Sequence, residues 1–412
     1  MKFVHYQLSE SPHVIPLIAR VADILGVNEV HYIGRGKLQA DRVAMGWNVN
    51  RPDWLIYENE RPDEAREWIE NCPVMICGMR EIDLFERRSS RGLKSFYTSE
   101  RWFKPYRIYI AGVPFVFPWW LRLLSPRFAR MAWKMVRLLK TGNGFIYAAI
   151  GIHAATDMAR LVGFFSGDLR CLFAAPKLTF ERKPFGNIYD SHGRLIPWMS
   201  LTGYFVEPTK YPSRIRQQPA TNNQQLTTKV LWVGRMIDWK RVDTLVKAVV
   251  LANRQSSQPI LLTLVGSGLE KPNLQKFVAK LCAVNQQPIT SNQQPLVAFR
   301  DSLPISEIRS LMREHDVYVL PSDGGEGWGA VINEALEEEM CVLGTYEAGA
   351  SATLLPDGNL FHAGDYECLA EMLLKVVKER SSESSLQFIT PIGEWSANEA
   401  AKLFVEKVER CR

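Results

Sequence analysis

The 412-residue chain contains no Cys-x-x-Cys pair. Its seven cysteines, Cys72, Cys77, Cys171, Cys282, Cys341, Cys368 and Cys411, are dispersed, and its seven histidines show no zinc spacing. A structural metal site is therefore not expected. An odd, scattered set of thiols fits a reducing compartment better than a disulfide framework. Long apolar runs are also missing. The most suspicious stretch, 108–121, has 14 uncharged residues broken by two prolines, too few for the ~20 that span a bilayer. The N-terminus, MKFVHYQLSESPHVIPL, lacks the apolar core of a secretory signal. These absences predict a soluble or peripheral protein of the cytoplasm. Charge of one sign is scarce: 50 Lys+Arg against 44 Asp+Glu leave only +6, so no nucleic-acid partner is expected. Gly 27 and Pro 23 follow no period, which excludes collagen-like repeats.

What is present is ordinary globular material, 46% hydrophobic and 23% charged, at a length that favours two or three domains. Short apolar runs alternate with helical patterns. Lys2–Tyr6, Glu29–Ile33, Trp54–Tyr57, Val74–Cys77, Ser95–Thr98 and Ile146–Ile150 read as strands. Val14–Leu25, Pro62–Glu70, a long stretch near 119–140 and about 152–163 read as helices. The segment 208–228 is polar, rich in Pro, Gln, Asn and Thr, and reads as a linker. The alternation then restarts more cleanly, with strands at Val230–Val233, Ile260–Val265, Leu296–Phe299, Val317–Leu320 and Cys341–Gly344. The intervening helices fall at Arg241–Asn253, Leu269–Val284, Ser306–Glu314, Ala330–Glu339 and Tyr366–Arg380, and a last helix covers Ala397–Cys411. Gln/Asn-rich stretches at 253–258 and 285–294 read as loops. Such alternation implies parallel sheets. The expected architecture is α/β, two Rossmann-like doubly wound domains facing each other across a cleft: 1–207, then 229–394 beyond the linker. Ligands of such sheets sit at the carboxyl ends of the strands.

Two strand ends in the second half carry the chemistry. Pro321–Met340 reads PSDGGEGWGAVINEALEEEM. There a strand ends in a glycine-rich loop and a helix start, whose free N–H groups and dipole suit an anion. Glu326 on the loop and Glu334 in the helix have seven residues between them and could reach different parts of one extended ligand. Val230–Arg241 reads VLWVGRMIDWKR. Its strand ends at Gly234, and Arg235 and Lys240 follow, a forked donor and a mobile point charge suited to a diphosphate. Leu264–Glu270, LVGSGLE, is a third strand-end loop, where Gly266 and Gly268 serve either ligand approach or a tight turn. In a fourth, FRDSL at 299–303, the backbone could read a base edge.

In this order, across about 226–380, these segments resemble family-4 glycosyltransferases of the GT-B fold, including a Glu-x7-Glu pair met by Glu326 and Glu334. The first half matches only in pattern. It has Ser9-Glu10-Ser11-Pro12-His13 where such families carry a Gly-Gly loop, and Gly349-Ala350-Ser351 is a second departure. The resemblance implies a retaining transferase acting by front-face attack, with a nucleotide-diphosphate sugar as co-substrate and no cofactor. Arg235 and Lys240 would neutralise the leaving diphosphate. Glu334 would bind the ribose, and Glu326 the donor sugar near its reacting carbon. The backbone of Gly327, Trp328, Gly329 and Ala330 would hold sugar and phosphate oxygens. No Asp-x-Asp lies in a suitable loop, so no metal is expected. The last helix, 395–412, would pack back on the first domain.

The first half offers His13, Glu100 and His153 as acceptor-side candidates, each at a strand end and each equally readable as structural. The stretch 101–140 carries nine cations and no acid. After Pro126, Arg127, Arg130, Lys134 and Arg137 share one helix face, opposite Phe128, Met131, Met135, Leu138 and Leu139, and Trp119, Trp120 and Trp133 add interfacial aromatics. That pattern predicts contact with an anionic membrane surface on its cytoplasmic face, suited to a glycan or lipid-linked acceptor in surface polysaccharide synthesis. The bland alternative is a core helix with a solvated basic face. Two other classes compete. A catalytically silent nucleotide-sugar-binding subunit has no need of Glu326, Arg235 and Lys240 together. A nicotinamide-dependent enzyme requires Gly-x-Gly-x-x-Gly after a first strand, which neither half shows.

Overall fold

The structure is a computed structural model. It describes residues 1–39, 43, 51–104, 107–110, 113–116, 118–141, 143–209, 227–284, 290–291, 294–380 and 392–410. Most of the expected linker, at 210–226, and parts of the expected loop 285–294 lie outside the described residues. The chain divides into two compact units, Met1–Glu207 with Gly393–Arg412, and Pro208–Ile392.

The first unit is built on a nine-stranded sheet. Its order is Leu55–Tyr57, Val30–Gly34, Phe3–Gln7, Val74–Cys77, Lys94–Ser99, Phe145–Ile150, Leu195–Thr202, Asn187–Tyr189 and Thr179–Phe180. The first seven strands run parallel; Asn187–Tyr189 is antiparallel to Leu195–Thr202, and Thr179–Phe180 is in turn antiparallel to Asn187–Tyr189. Their apolar runs are buried on both faces, as parallel strands covered by helices require. The strand order reverses between Phe3–Gln7 and Val74–Cys77. Helix Ala397–Arg410 belongs to this unit. Its Phe404 is fully buried, with ring centroids 5.0 Å from Phe3, 5.6 Å from Phe96 and 4.9 Å from Phe185.

The helix expected near 119–140 is two elements, a 3-10 turn Trp119–Leu124 and an α-helix Pro126–Thr141. The break follows from Pro126, which forces Ser125 into an extended conformation (ψ 114°). The apolar side of the α-helix packs inward: Ala132, Met135, Val136, Leu138 and Leu139 are buried, and the Phe128 ring lies 6.1 Å from Trp102. A helix lying in a membrane surface needs that side for lipid, so only its basic side is left to meet one. Part of that side is paired already, with Lys134 Nζ 3.1 Å from Asp83 and Arg137 2.8 Å from Glu86. Trp133 is half-exposed beside Arg137. No described helix is long and apolar enough to cross a membrane.

The second unit holds a six-stranded parallel sheet in the order Val297–Arg300, Ile260–Val265, Thr228–Val233, Val317–Leu320, Cys341–Thr345 and Leu360–Phe361. Helices Val242–Gln255 and Tyr366–Arg380 bury their apolar sides in its core. The chain starts at Thr228–Val233, builds outward on one side, then returns to build on the other. The switch point therefore lies between Thr228–Val233 and Val317–Leu320, the place where open α/β sheets present a crevice.

Candidate active site

Both chemistry-bearing loops leave the sheet at that switch point. Val230 pairs with Val317 and Leu231 with Tyr318 in parallel register, so the two strands end side by side. After the first strand comes a 3-10 turn, Asp238–Lys240, closed by Arg241 in a left-handed conformation (φ 46°). After the second strand the chain turns around the buried Asp323. The Asp323 N–H donates to the Trp239 carbonyl (2.9 Å), the Gly325 N–H to Asp323 Oδ1 (2.8 Å) and the Glu326 N–H to the Asp323 carbonyl (3.0 Å). That first bond ties the loops together one residue before Lys240 and three before Glu326. The consequence is an ion pair between Lys240 Nζ and Glu326 Oε2, with side chains only 14% and 13% exposed.

Beneath the pair, Tyr318 is fully buried and donates to the Val233 carbonyl at 3.3 Å. Burial raises its phenol well above the ordinary value, and the Glu334 and Glu326 carboxylates raise it further. Tyr318 thus stays neutral between two acids. Glu334 is half-buried in the first turn of helix Val331–Glu337, shorter at both ends than the expected Ala330–Glu339. Arg235 lies on the same loop as Lys240 and is exposed.

The glycines have backbone reasons. At Gly234 φ is 159°, nearly extended. Gly266 has φ +140°, and a Cβ there would lie 1.9 Å from the Gly234 carbonyl oxygen. At Gly268, φ is +150° and a Cβ would lie 2.3 Å from the Met236 carbonyl oxygen. Close approach of the first and third strand-end loops, bonded from the Met236 N–H to the Ser267 carbonyl (2.8 Å), accounts for both. Gly327 is crowded too, its carbonyl 2.3 Å from where a Cβ of Gly349 would stand. This explains Gly349-Ala350-Ser351: helix Gly349–Leu354 starts against the glycine-rich loop, and the Ala350 N–H donates to the Trp328 carbonyl at 2.8 Å. The Trp328 ring is a core residue, 1% exposed, with Nε1 donating to Asn333 Oδ1 (2.8 Å). Gly329 needs its left-handed φ of +93°, and Ala330 caps the helix.

The first unit has its own opening at its own switch point. Gln7, Gly78, Thr98, Glu100 and Ile150, all at or just beyond the carboxyl ends of parallel strands, line an open polar cavity of about 260 Å³. Of the three acceptor-side candidates only Glu100 lines it, accepting from Tyr204 Oη (3.0 Å) and Lys104 Nζ (2.9 Å). His13 stacks on Tyr204 at 5.9 Å, and its carbonyl accepts from the Phe205 N–H. His153 is the second residue of helix Ile152–Phe165 and does not line the cavity. Sequence reasoning missed Arg80 and Tyr204, both of which line it. The rule that found Glu100, a polar residue just past a parallel strand, applies equally to Arg80 after Val74–Cys77.

Behind this wall Asp157 is 1% exposed. Burial pushes its carboxyl up to about 6, against opposing pulls from Arg101 and the Phe103 N–H. An acid that holds its proton more tightly folded (about 6) than unfolded (3.8) favours the folded state at low pH. That contribution is full below 3.8 and is lost as pH rises through about 6. Relative to Asp157→Asn, the wild type should therefore lose urea stability as pH rises across this window, and parallel curves for the two proteins would refute the assignment.

Residues 227–379 match the model of a family described as "Glycosyl transferases group 1". No curated protein matches the chain in sequence. Among solved structures, Anabaena Alr3699/HepE in complex with UDP and glucose is similar over 100% of both chains, with 13% identity and a TM-score of 0.56. OtsA in its apo form matches over 99% of both (11%, 0.57), and the lipopolysaccharide outer core galactosyltransferase WaaB over 100% of both (12%, 0.55). The fold is that of GT-B glycosyltransferases. At these identities the likeness concerns the fold, and activity must be argued from the site.

Proposed function

We propose that the chain is a retaining glycosyltransferase that moves a sugar from a nucleoside diphosphate sugar to a glycan or lipid-linked acceptor, a step suited to surface polysaccharide synthesis. The observation that carries this reading is the Lys240–Glu326 pair at the switch point of the second unit, inside the segment that matches the glycosyltransferase family. The Anabaena structure, which contains UDP and glucose, supports the donor class.

In this reading Lys240 and Arg235 meet the diphosphate, Glu334 the ribose and Glu326 the donor sugar. An acceptor hydroxyl attacks the anomeric carbon on the face the leaving group departs from. The bond to the diphosphate breaks with its electron pair, and the hydroxyl proton passes to a departing phosphate oxygen. Leaving-group stabilisation then comes from the two cations and backbone N–H groups, without a metal. The protein's place is the cytoplasm. Any membrane contact would be electrostatic, through Arg127 and Arg130, and vesicles with and without anionic lipid would read it.

A thermal-shift panel of UDP-, GDP- and ADP-sugars tests the donor site. One of them should raise the melting temperature of the wild type, and Glu334→Ala and Arg235→Ala should each abolish the shift. A shift that survives both substitutions would move the donor elsewhere. A catalytically silent binder would give the shift but no slow donor hydrolysis.

A further inference from the structure

The 260 Å³ cavity of the first unit is lined by three cations, Arg80, Arg101 and Lys104, and a single carboxylate, Glu100. Two of the cations have counter-charges. Lys104 Nζ lies 2.9 Å from Glu100 Oε2, and Arg101 Nε lies 3.8 Å from the buried Asp157 Oδ2. Arg80 differs: among the described residues it makes no ion pair with a carboxylate. It is nevertheless held in place. Its guanidinium stacks 4.4 Å over the Trp102 ring, which is 1% exposed, and its Nε donates to the Tyr97 hydroxyl at 3.3 Å. Two buried aromatic side chains thus fix a planar, fork-shaped donor beside an open cavity, with no acid among the described residues paired to it. Thr98, Ser99 and Tyr204, three hydroxyl-bearing residues, line the same cavity, a composition that suits a sugar. A guanidinium so prepared is matched by a planar or tetrahedral oxyanion.

We infer that this cavity receives an acceptor bearing an oxyanion, a phosphate or a carboxylate, which Arg80 binds while the neighbouring hydroxyls hold the sugar. The inference rests on the glycosyltransferase reading for the word acceptor, and on the cavity alone for the anion. Phosphate and carboxylate share the recognition chemistry, so separate arms of the test distinguish them.

Isothermal titration of the whole chain with inorganic phosphate and with glucuronate, at constant ionic strength and with glucose as the neutral comparator, reads the site directly. At least one anion should bind detectably, and Arg80→Gln should weaken it tenfold or more while Arg66→Gln, an exposed position on helix Pro62–Asn71 outside both sites, leaves it unchanged. Because Arg80 is exposed, the variant should fold, which its melting temperature verifies. Phosphate alone would mark a phosphorylated acceptor, and glucuronate alone a uronic-acid one. Glucose binding as tightly as the anions, no anion binding, or loss through Arg66→Gln in place of Arg80→Gln would each overturn the inference. The two readings fail separately. A wild type that binds the anion through Arg80 but responds to no nucleotide sugar would sink the transferase and keep the anion site. A donor response without an anion effect would do the reverse.

Discussion

Gly266→Ala should cost about 4 kcal/mol of folding stability and abolish donor binding with it. Two penalties combine. A Cβ at this position would stand 1.9 Å from the Gly234 carbonyl oxygen, far inside contact distance, and the obstacle is backbone that cannot rotate away. Overpacking of this kind costs roughly 1–3 kcal/mol. The φ of +140° adds a backbone cost of about 1–3 kcal/mol for any side chain. The loops after Thr228–Val233 and Ile260–Val265 must separate to admit the methyl group. That separation would pull the Met236 N–H from the Ser267 carbonyl and displace the turn that carries Lys240. Gly358→Ala is the internal control, since nothing lies within 4 Å of a Cβ there, and it should stay within about 0.5 kcal/mol of the wild type. Urea midpoints compare the three proteins. Equal losses at 266 and 358 would show that the loop crowding carries no energetic weight.

The second large effect is expected at Lys240. Lys240→Ala should lower kcat/KM for transfer by about 10²-fold, the usual cost of losing one preorganised charge at a developing anion. Most of the loss should fall on kcat, because charge on the diphosphate grows as its bond to the sugar breaks. The substitution also strands Glu326, which is only 13% exposed, so Lys240→Ala alone mixes two effects. Glu326→Gln and the double variant separate them. If the pair acts as a unit, the double variant should be less impaired than the product of the single losses. Strict multiplicativity, or an undiminished kcat in Lys240→Ala, would remove Lys240 from the chemistry.

The second unit was more legible in sequence than the first. Its five longer strands are short continuous apolar runs between glycine-rich or polar loops, a pattern specific to buried parallel strands. The sixth, Leu360–Phe361, has only two residues, too short for any periodicity. In the first unit Leu195–Thr202 escaped notice because its first half is exposed or half-exposed and carries Pro197. With that strand unseen, Tyr204 just beyond it could not be placed. The proximity of Lys240 to Glu326 is a contact across 86 positions, set by the parallel register of two strands and one backbone hydrogen bond, and no local spacing encodes it. The basic stretch taught the opposite lesson. Counting charges in 101–140 overstated the free charge, because the partners of Lys134 and Arg137 lie some fifty positions upstream, at Asp83 and Glu86.

Phe404 has one more consequence. The aromatic nest formed by Phe3, Phe96 and Phe185 stays without its lid until the whole of the second unit has been synthesised. The second unit, contiguous in sequence, can assemble during translation while its elder neighbour waits with greasy rings uncovered. Emerging chains should therefore attract chaperones at the earlier-made portion, and premature termination before residue 397 should yield aggregates in which that portion is the sticky one.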